Sequence, residues 1–200
     1  TAYEVSGGMS FFDYAEIKDL TAYLRLIANA DDDPAFIRAV TTPKRGVGAA
    51  TLEILGRFAG EYKMSLFEAA CDNNFLSLLA PKQLEPLQEF TKLINNLEFN
   101  AHKETAASVL EDLVKQIGYE IYLFDSEDAK KAEQGWNNVR QFIDWLSKKG
   151  EADEKNLFEL TQTVALINLL ENRDGESNAV QLSTLHVAKG LEFKHVYLVG

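Results

Sequence analysis

From Asp13 to about residue 172 the chain carries one helical signal after another, and only its two ends read as strand. Such a chain cannot run a sheet through its middle. It must bury amphipathic helices against one another, framed by strand-type sequence at each terminus. The opening TAYEVSGG predicts a short strand closing on a Gly-Gly turn. Asp13 and Glu16 then have the form of a capping box for a helix whose apolar face carries Ile17, Leu20, Leu24 and Ile27. DDDPAF predicts a second helix, capped by Asp33 with Pro34 at its first position, and its acidic cluster reads as a subdomain junction.

The helical reading continues from there. Segment 49–62 places Leu52, Leu55, Phe58 and Tyr62 on one face, and Ser65 with Glu68 predicts a box for a short helix ending near Cys71. Leu84, Leu87, Ile94 and Leu97 mark another helix, with Pro86 tolerable only in its first turn. Val109, Leu110, Leu113 and Ile117 mark the next, closed by Gly118. AEQGWNNVRQFIDWLSKK and, behind an Asn156 to Glu159 box, LFELTQTVALINLL supply two more. NRDGESN at 172–178 is a polar breaker run. Strand-type sequence resumes after it, with Val180, Leu182 and Leu185 in one short stretch and HVYLVG in a second.

With 46% apolar residues in 200, the chain can fold by burial, without a disulfide or metal. Its single cysteine, Cys71, permits no intrachain disulfide and reads as a small buried residue. The first residues lack a basic and apolar leader, so a reducing, cytoplasmic setting is expected. The longest apolar run, VALINLL, is far shorter than the roughly 18 residues of a membrane span, and no membrane partner is expected. His102 and His195 have no Cys or His neighbours at ligand spacing, so no metal site is expected. Phe11 and Phe12, set directly before a helix, read as core rather than as a base-stacking platform. Phe142 and Trp145, three apart, read as packing between helices, with Trp136 and Tyr122 the other aromatics of that region.

A net charge of −11 opposes indiscriminate adhesion to nucleic acid, yet a local patch can still bind it. Residues 38–57 hold Arg38, Lys44, Arg45 and Arg57 against one acid, Glu53. Within them lies KRGVGAAT. Gly46 and Gly48 let backbone approach a phosphate closely, and the helix that follows offers unpaired N–H groups at its positive end. Lys44 and Arg45 add charge. Together with Val47 and Thr51 these residues form the candidate duplex contact, of the kind by which helix-hairpin-helix modules grip a backbone without reading sequence.

The closing VQLSTLHVAKGLEFKHVYLVG places polar groups and backbone N–H groups at the carboxyl end of a strand, where ligands of open α/β sheets bind. It resembles motif V of the UvrD/Rep/PcrA family of superfamily 1 DNA helicases, its Rep and UvrD members above all. YEVSGGMSFFDYAEIKDLTAYLRLIANADDDPAF resembles the stretch called motif IVa, and TPKRGVGAATL the glycine signature at the start of that family's inserted 2B subdomain. The resemblance implies a mainly α fold: a helical 2B-type subdomain inserted into an incomplete α/β RecA-like domain whose short strands lie at the two termini. Residues 1–30 and 176–200 would belong to the RecA-like 2A part and residues 31–175 to the insertion.

The same resemblance assigns roles. Glu192 corresponds to the acid that reaches the nucleotide sugar, with Gly190 shaping the turn. Thr184 and His186 correspond to groups along single-stranded DNA, with Lys189 beside them. These residue types suit their ligands: a carboxylate accepts from ribose hydroxyls, whereas hydroxyl and imidazole donate to phosphate. The implied enzyme is an ATP-dependent helicase moving 3′ to 5′, using ATP and Mg²⁺ and acting on single-stranded and junction DNA in replication or repair. The 200 residues contain no G-x-x-x-x-G-K-[ST] run and no acidic Walker B strand. No ATP hydrolysis, catalytic residue or bound cofactor is therefore expected from them alone. Two other readings stay open: a module docking accessory proteins, in which the glycine turn is only structural, and a portion of a helicase-nuclease.

Overall fold

A computed structural model of the chain describes residues 3–6, 10–171, 180–183, 185, 188–189 and 192–198. Two strands, β1 (Tyr3–Ser6) and β2 (Val180–Ser183), are parallel neighbours, with Tyr3 opposite Val180 and Ser6 opposite Ser183. Parallel strands cannot be joined by a tight turn. Here the connection between them contains every helix of the described chain: α1 (Ala15–Ala28), α2 (Asp33–Thr41), α3 (Ala49–Tyr62), α4 (Leu66–Cys71), α5 (Asn73–Leu76), α6 (Pro81–Ala101), α7 (Ala106–Gln116), α8 (Tyr119–Ser126), α9 (Ala129–Asp153) and α10 (Leu157–Glu171). The mainly α architecture with strands near its two ends is as expected. Residues 195–198 are the exception: they are exposed and take no strand form. A strand is stabilised only on a partner, and none of the described residues pairs with them.

Helix α1 is the hub. Ile17, Leu20, Tyr23, Leu24 and Leu26 are all but inaccessible, and α1 packs on α2, α6, α9 and α10. Burial around most of its circumference is what a central helix requires. Helix α1 thus packs directly on helices that follow residue 30. The acidic cluster is a tight connection between α1 and α2, spanned by an Arg25–Asp32 ion pair of 2.7 Å.

Several local signals act as expected. Asn156 and Glu159 form a reciprocal box, Asn156 N–H donating to Glu159 Oε2 at 3.0 Å and Glu159 N–H to Asn156 Oδ1 at 3.1 Å. Ser65 caps α4 through the Glu68 amide. Gly118, at φ +61°, takes the left-handed conformation that ends α7. Phe12 is buried and Phe11 packs beside it, both against Phe142, and Phe12 also meets Trp145 edge-on.

Others are redirected by tertiary partners. Asp13 does not cap α1. It closes a short 3-10 turn, Phe11–Asp13, and pairs with Lys18 at 2.8 Å, while Glu16 accepts from Asn138 at 2.6 Å. Asp32, not Asp33, caps α2, its carboxylate accepting from the Ala35 amide. Asp33 instead accepts from the amide of Leu66 at 2.8 Å and so caps α4 from a distance. Pro86 lies beyond the first turn because α6 begins with Pro81, and its ring faces Gly46. Cys71 is exposed at the end of α4 rather than buried. Among the described residues no helix is long and apolar enough to cross a membrane.

Candidate nucleic-acid interface

The glycine-containing loop between α2 and α3 is held on three sides. Tyr23 of α1 donates its hydroxyl to the Thr42 carbonyl at 2.8 Å and accepts from Arg45. Burial keeps this phenol well above the ordinary tyrosine pKa, against the lowering pull of Arg45, so it remains a donor. Arg45 also donates from Nε to the Val40 carbonyl and from Nη2 to the Ala39 carbonyl, each at 3.1 Å. Its guanidinium carbon lies 5.0 Å from the centre of the Phe90 ring on α6. The Thr42–Pro43 peptide is cis.

Past Arg45, Gly46 takes φ +89°, and a Cβ there would stand 3.3 Å from Pro86 Cγ. This position needs glycine both for its dihedral and for the close approach of α6. Val47 is buried and serves as the loop's apolar anchor. Gly48 is then the N-cap of α3 in extended geometry, with no side chain capping the helix and no acid in its first turn. The first intrahelical bond runs from Leu52 N–H to the Gly48 carbonyl at 3.1 Å, leaving the amides of Ala49, Ala50 and Thr51 ahead of the ladder. Gly48, Ala49 and Ala50 are exposed, and nothing lies within 4 Å of where a Gly48 Cβ would be. The result is an open, positively polarised helix end on a fixed loop.

The basic stretch proves less uniform than its composition suggests. Arg38 pairs with Asp19 at 2.7 Å and Arg57 with Glu53 at 2.8 Å. Arg45 turns inward, because the carbonyls ending α2 and the faces of Tyr23 and Phe90 supply its partners. Lys44 alone of the four is exposed with no ion pair or hydrogen bond to the described residues. Thr51 is buried as a whole, and its side chain accepts from Gln83 Nε2 at 3.1 Å. Of the expected duplex contacts, Lys44 and Gly48 are therefore presented outward, together with Ala49 and Ala50 at the start of α3. The side chains of Arg45, Val47 and Thr51 face the protein, as does the Gly46 position where it meets Pro86. Tyr23, Phe90, Pro86 and Gln83 had no local signal linking them to this loop, since each acts across the fold.

In the closing stretch, Thr184, His186 and Gly190 lie outside the described residues. Glu192 and Lys189 are exposed. Among the described residues no group of three His, Cys, Asp or Glu side chains is placed to hold a metal ion. Of the expected nucleotide pair, Glu192 and Gly190, only Glu192 is among the described residues.

Comparison with known proteins decides the family. A family model described as the UvrD-like helicase C-terminal domain matches residues 2–200. The chain belongs to that family. It is similar to the ATP-dependent DNA helicase Rep of Salmonella typhimurium, with 42% identity over 99% of this chain and 30% of that protein. It is also similar to the ATP-dependent DNA helicase PcrA of Bacillus subtilis, at 35% identity, and to DNA helicase II of Escherichia coli, at 34%, each over 99% of this chain and 28% of the relative. This UvrD-like chain thus spans under a third of the curated relatives it matches.

Proposed function

We propose that this chain is the duplex-contacting and regulatory part of an ATP-dependent DNA helicase that moves 3′ to 5′. The observation that carries the reading is the exposed amino-terminal end of α3, uncapped by any side chain and flanked by Lys44. Backbone amides at such an end suit a phosphate oxygen, and they read no base, as an enzyme acting on any sequence requires. The names of the relatives, all DNA helicases, support the same polymer as partner.

In the complete enzyme, β1 and β2 belong to a RecA-like sheet that other segments complete. Glu192 and Gly190 face the nucleotide sugar there, and Thr184 and His186 lie along single-stranded DNA. ATP with Mg²⁺ drives movement of paired RecA-like domains. The helical body moves as a unit against that sheet, and its orientation governs whether duplex is presented for unwinding.

The test uses Gly48→Asp in the full-length helicase. The N-cap geometry at Gly48 and its open surroundings accept an aspartate, which is itself a good cap, so the fold should hold or gain slightly. The new carboxylate occupies the very amides offered to phosphate. Affinity for a tailed duplex junction should fall, with affinity for single-stranded DNA little changed. A folded variant that binds the junction like the parent removes the duplex role from α3, and salt-insensitive binding to a partner protein would then favour the docking reading.

A further inference from the structure

We infer that Arg45 is a positioning residue for the duplex contact and not a phosphate ligand: it fixes the loop that aims the amides of α3. The inference rests on the duplex reading of α3, and it reassigns the one arginine that sequence reasoning placed on DNA.

Three observations converge on it. Nε and Nη2 of Arg45 reach the carbonyls of Val40, Ala39 and Thr42, at 3.1, 3.1 and 3.5 Å. These carbonyls end α2, where the ladder has run out of amides and the helix dipole is negative. The guanidinium also lies over Phe90 and beside Tyr23, so the loop is tied to α6 and α1 as well as to α2. Only Gly46 and Val47 separate Arg45 from the N-cap Gly48, and both are fixed, one by φ +89° against Pro86 and one by burial. Little slack remains between the guanidinium and the amides of α3. A lysine could not reproduce this tie, because a single ammonium lacks the planar fork that serves several carbonyls while lying on a ring.

The experiment compares Arg45→Ala, Arg45→Lys and Lys44→Ala in the full-length helicase. Tailed-junction and single-stranded DNA are titrated at several salt concentrations, and hydrogen exchange is followed at the amides of residues 46–52. Lys44→Ala should lower the junction salt slope by about one, as for one lost phosphate contact, without changing loop exchange. Arg45→Ala should weaken junction binding at an unchanged salt slope, speed exchange across the loop and spare single-stranded binding. Arg45→Lys should resemble Arg45→Ala despite keeping the charge, and it is the arm to read if the alanine variant does not fold.

A slope reduced by about one in Arg45→Ala would overturn the inference and make Arg45 a direct ligand. Faster loop exchange with parental junction affinity would overturn it too, because loop order would then be immaterial to binding. If Lys44→Ala and Gly48→Asp both leave junction binding untouched, the duplex reading itself falls. The exchange data then show separately whether Arg45 orders the loop for the fold alone.

Discussion

Tyr119 donates its phenolic hydroxyl to Asp19 Oδ2 at 2.6 Å, joining residues one hundred positions apart. Asp19 is only 7% exposed, and Arg38 closes its other oxygen at 2.7 Å. A group from α8 and one from α2 thus meet on the hub helix α1. Burial, with Asp19's charge second, pushes the Tyr119 pKa far above the usual tyrosine range, so the phenol is a hydrogen-bond donor at neutral pH.

Tyr119→Phe should therefore leave a buried carboxylate oxygen short of its partner and cost about 1–3 kcal/mol. Combined with Arg38→Ala, the loss should differ from the sum of the single losses, since both groups serve one carboxylate. Urea unfolding of the four proteins measures this. A Tyr119→Phe midpoint equal to the parent's would show that the bond contributes nothing to the hub.

The two loop glycines should separate cleanly. Gly46→Ala forces an L side chain to φ +89° and against Pro86, and should destabilise by about 1–2 kcal/mol. Gly48→Ala meets neither obstacle, since its φ is −100° and its surroundings are open, and should shift stability by less than about 1 kcal/mol. Thermal melts of both variants give the comparison. Equal losses would mean that the left-handed backbone at Gly46 is not what requires glycine.

The longer helices were legible because each carried its own apolar period, whereas the four-residue α5 and the eight-residue α8, which buries only Tyr119 and Leu123, are too short to show one. The Asn156–Glu159 and Ser65 caps were legible because both partners lie within one turn. What sequence could not supply was choice among equivalent donors and acceptors. Three successive aspartates, Asp31 to Asp33, each resemble a cap, and only folding directs Asp32 to its own helix and Asp33 to another. The charge of Arg45 was equally plain, but its direction was not. Its acceptors are carbonyls that local pattern marks only as the end of a helix, and its rings come from α1 and α6.

Asp33 offers a test of that long-range capping. Asp33→Ala should cost about 1 kcal/mol, in the usual range for a lost cap, although the substitution lies in α2. Its local signature should appear in α4: faster hydrogen exchange at Leu66, the amide now left without its acceptor. Exchange that rises only within α2 would place the effect on Asp33's own helix and contradict the link.

Cys71 combines exposure with a disfavoured thiolate. It lies at the end of α4 where reagents can reach it, yet partial burial of the thiol raises its pKa, outweighing the lowering effect of a hydrogen bond with Thr91. The thiolate is the nucleophile, so the folded protein should alkylate more slowly than the urea-unfolded chain at the same mildly alkaline pH, and its rate should keep rising to higher pH. The sign of the linked stability follows. A raised pKa means that the folded state holds its proton more tightly, so this contribution is complete below the ordinary thiol pKa and is lost as pH rises through the folded value. Iodoacetamide labelling of the native and unfolded chain across pH measures the difference, since Cys71 is the only thiol in the chain. A native rate that levels off at lower pH than the unfolded one would mean that the local charges, not desolvation, control this cysteine.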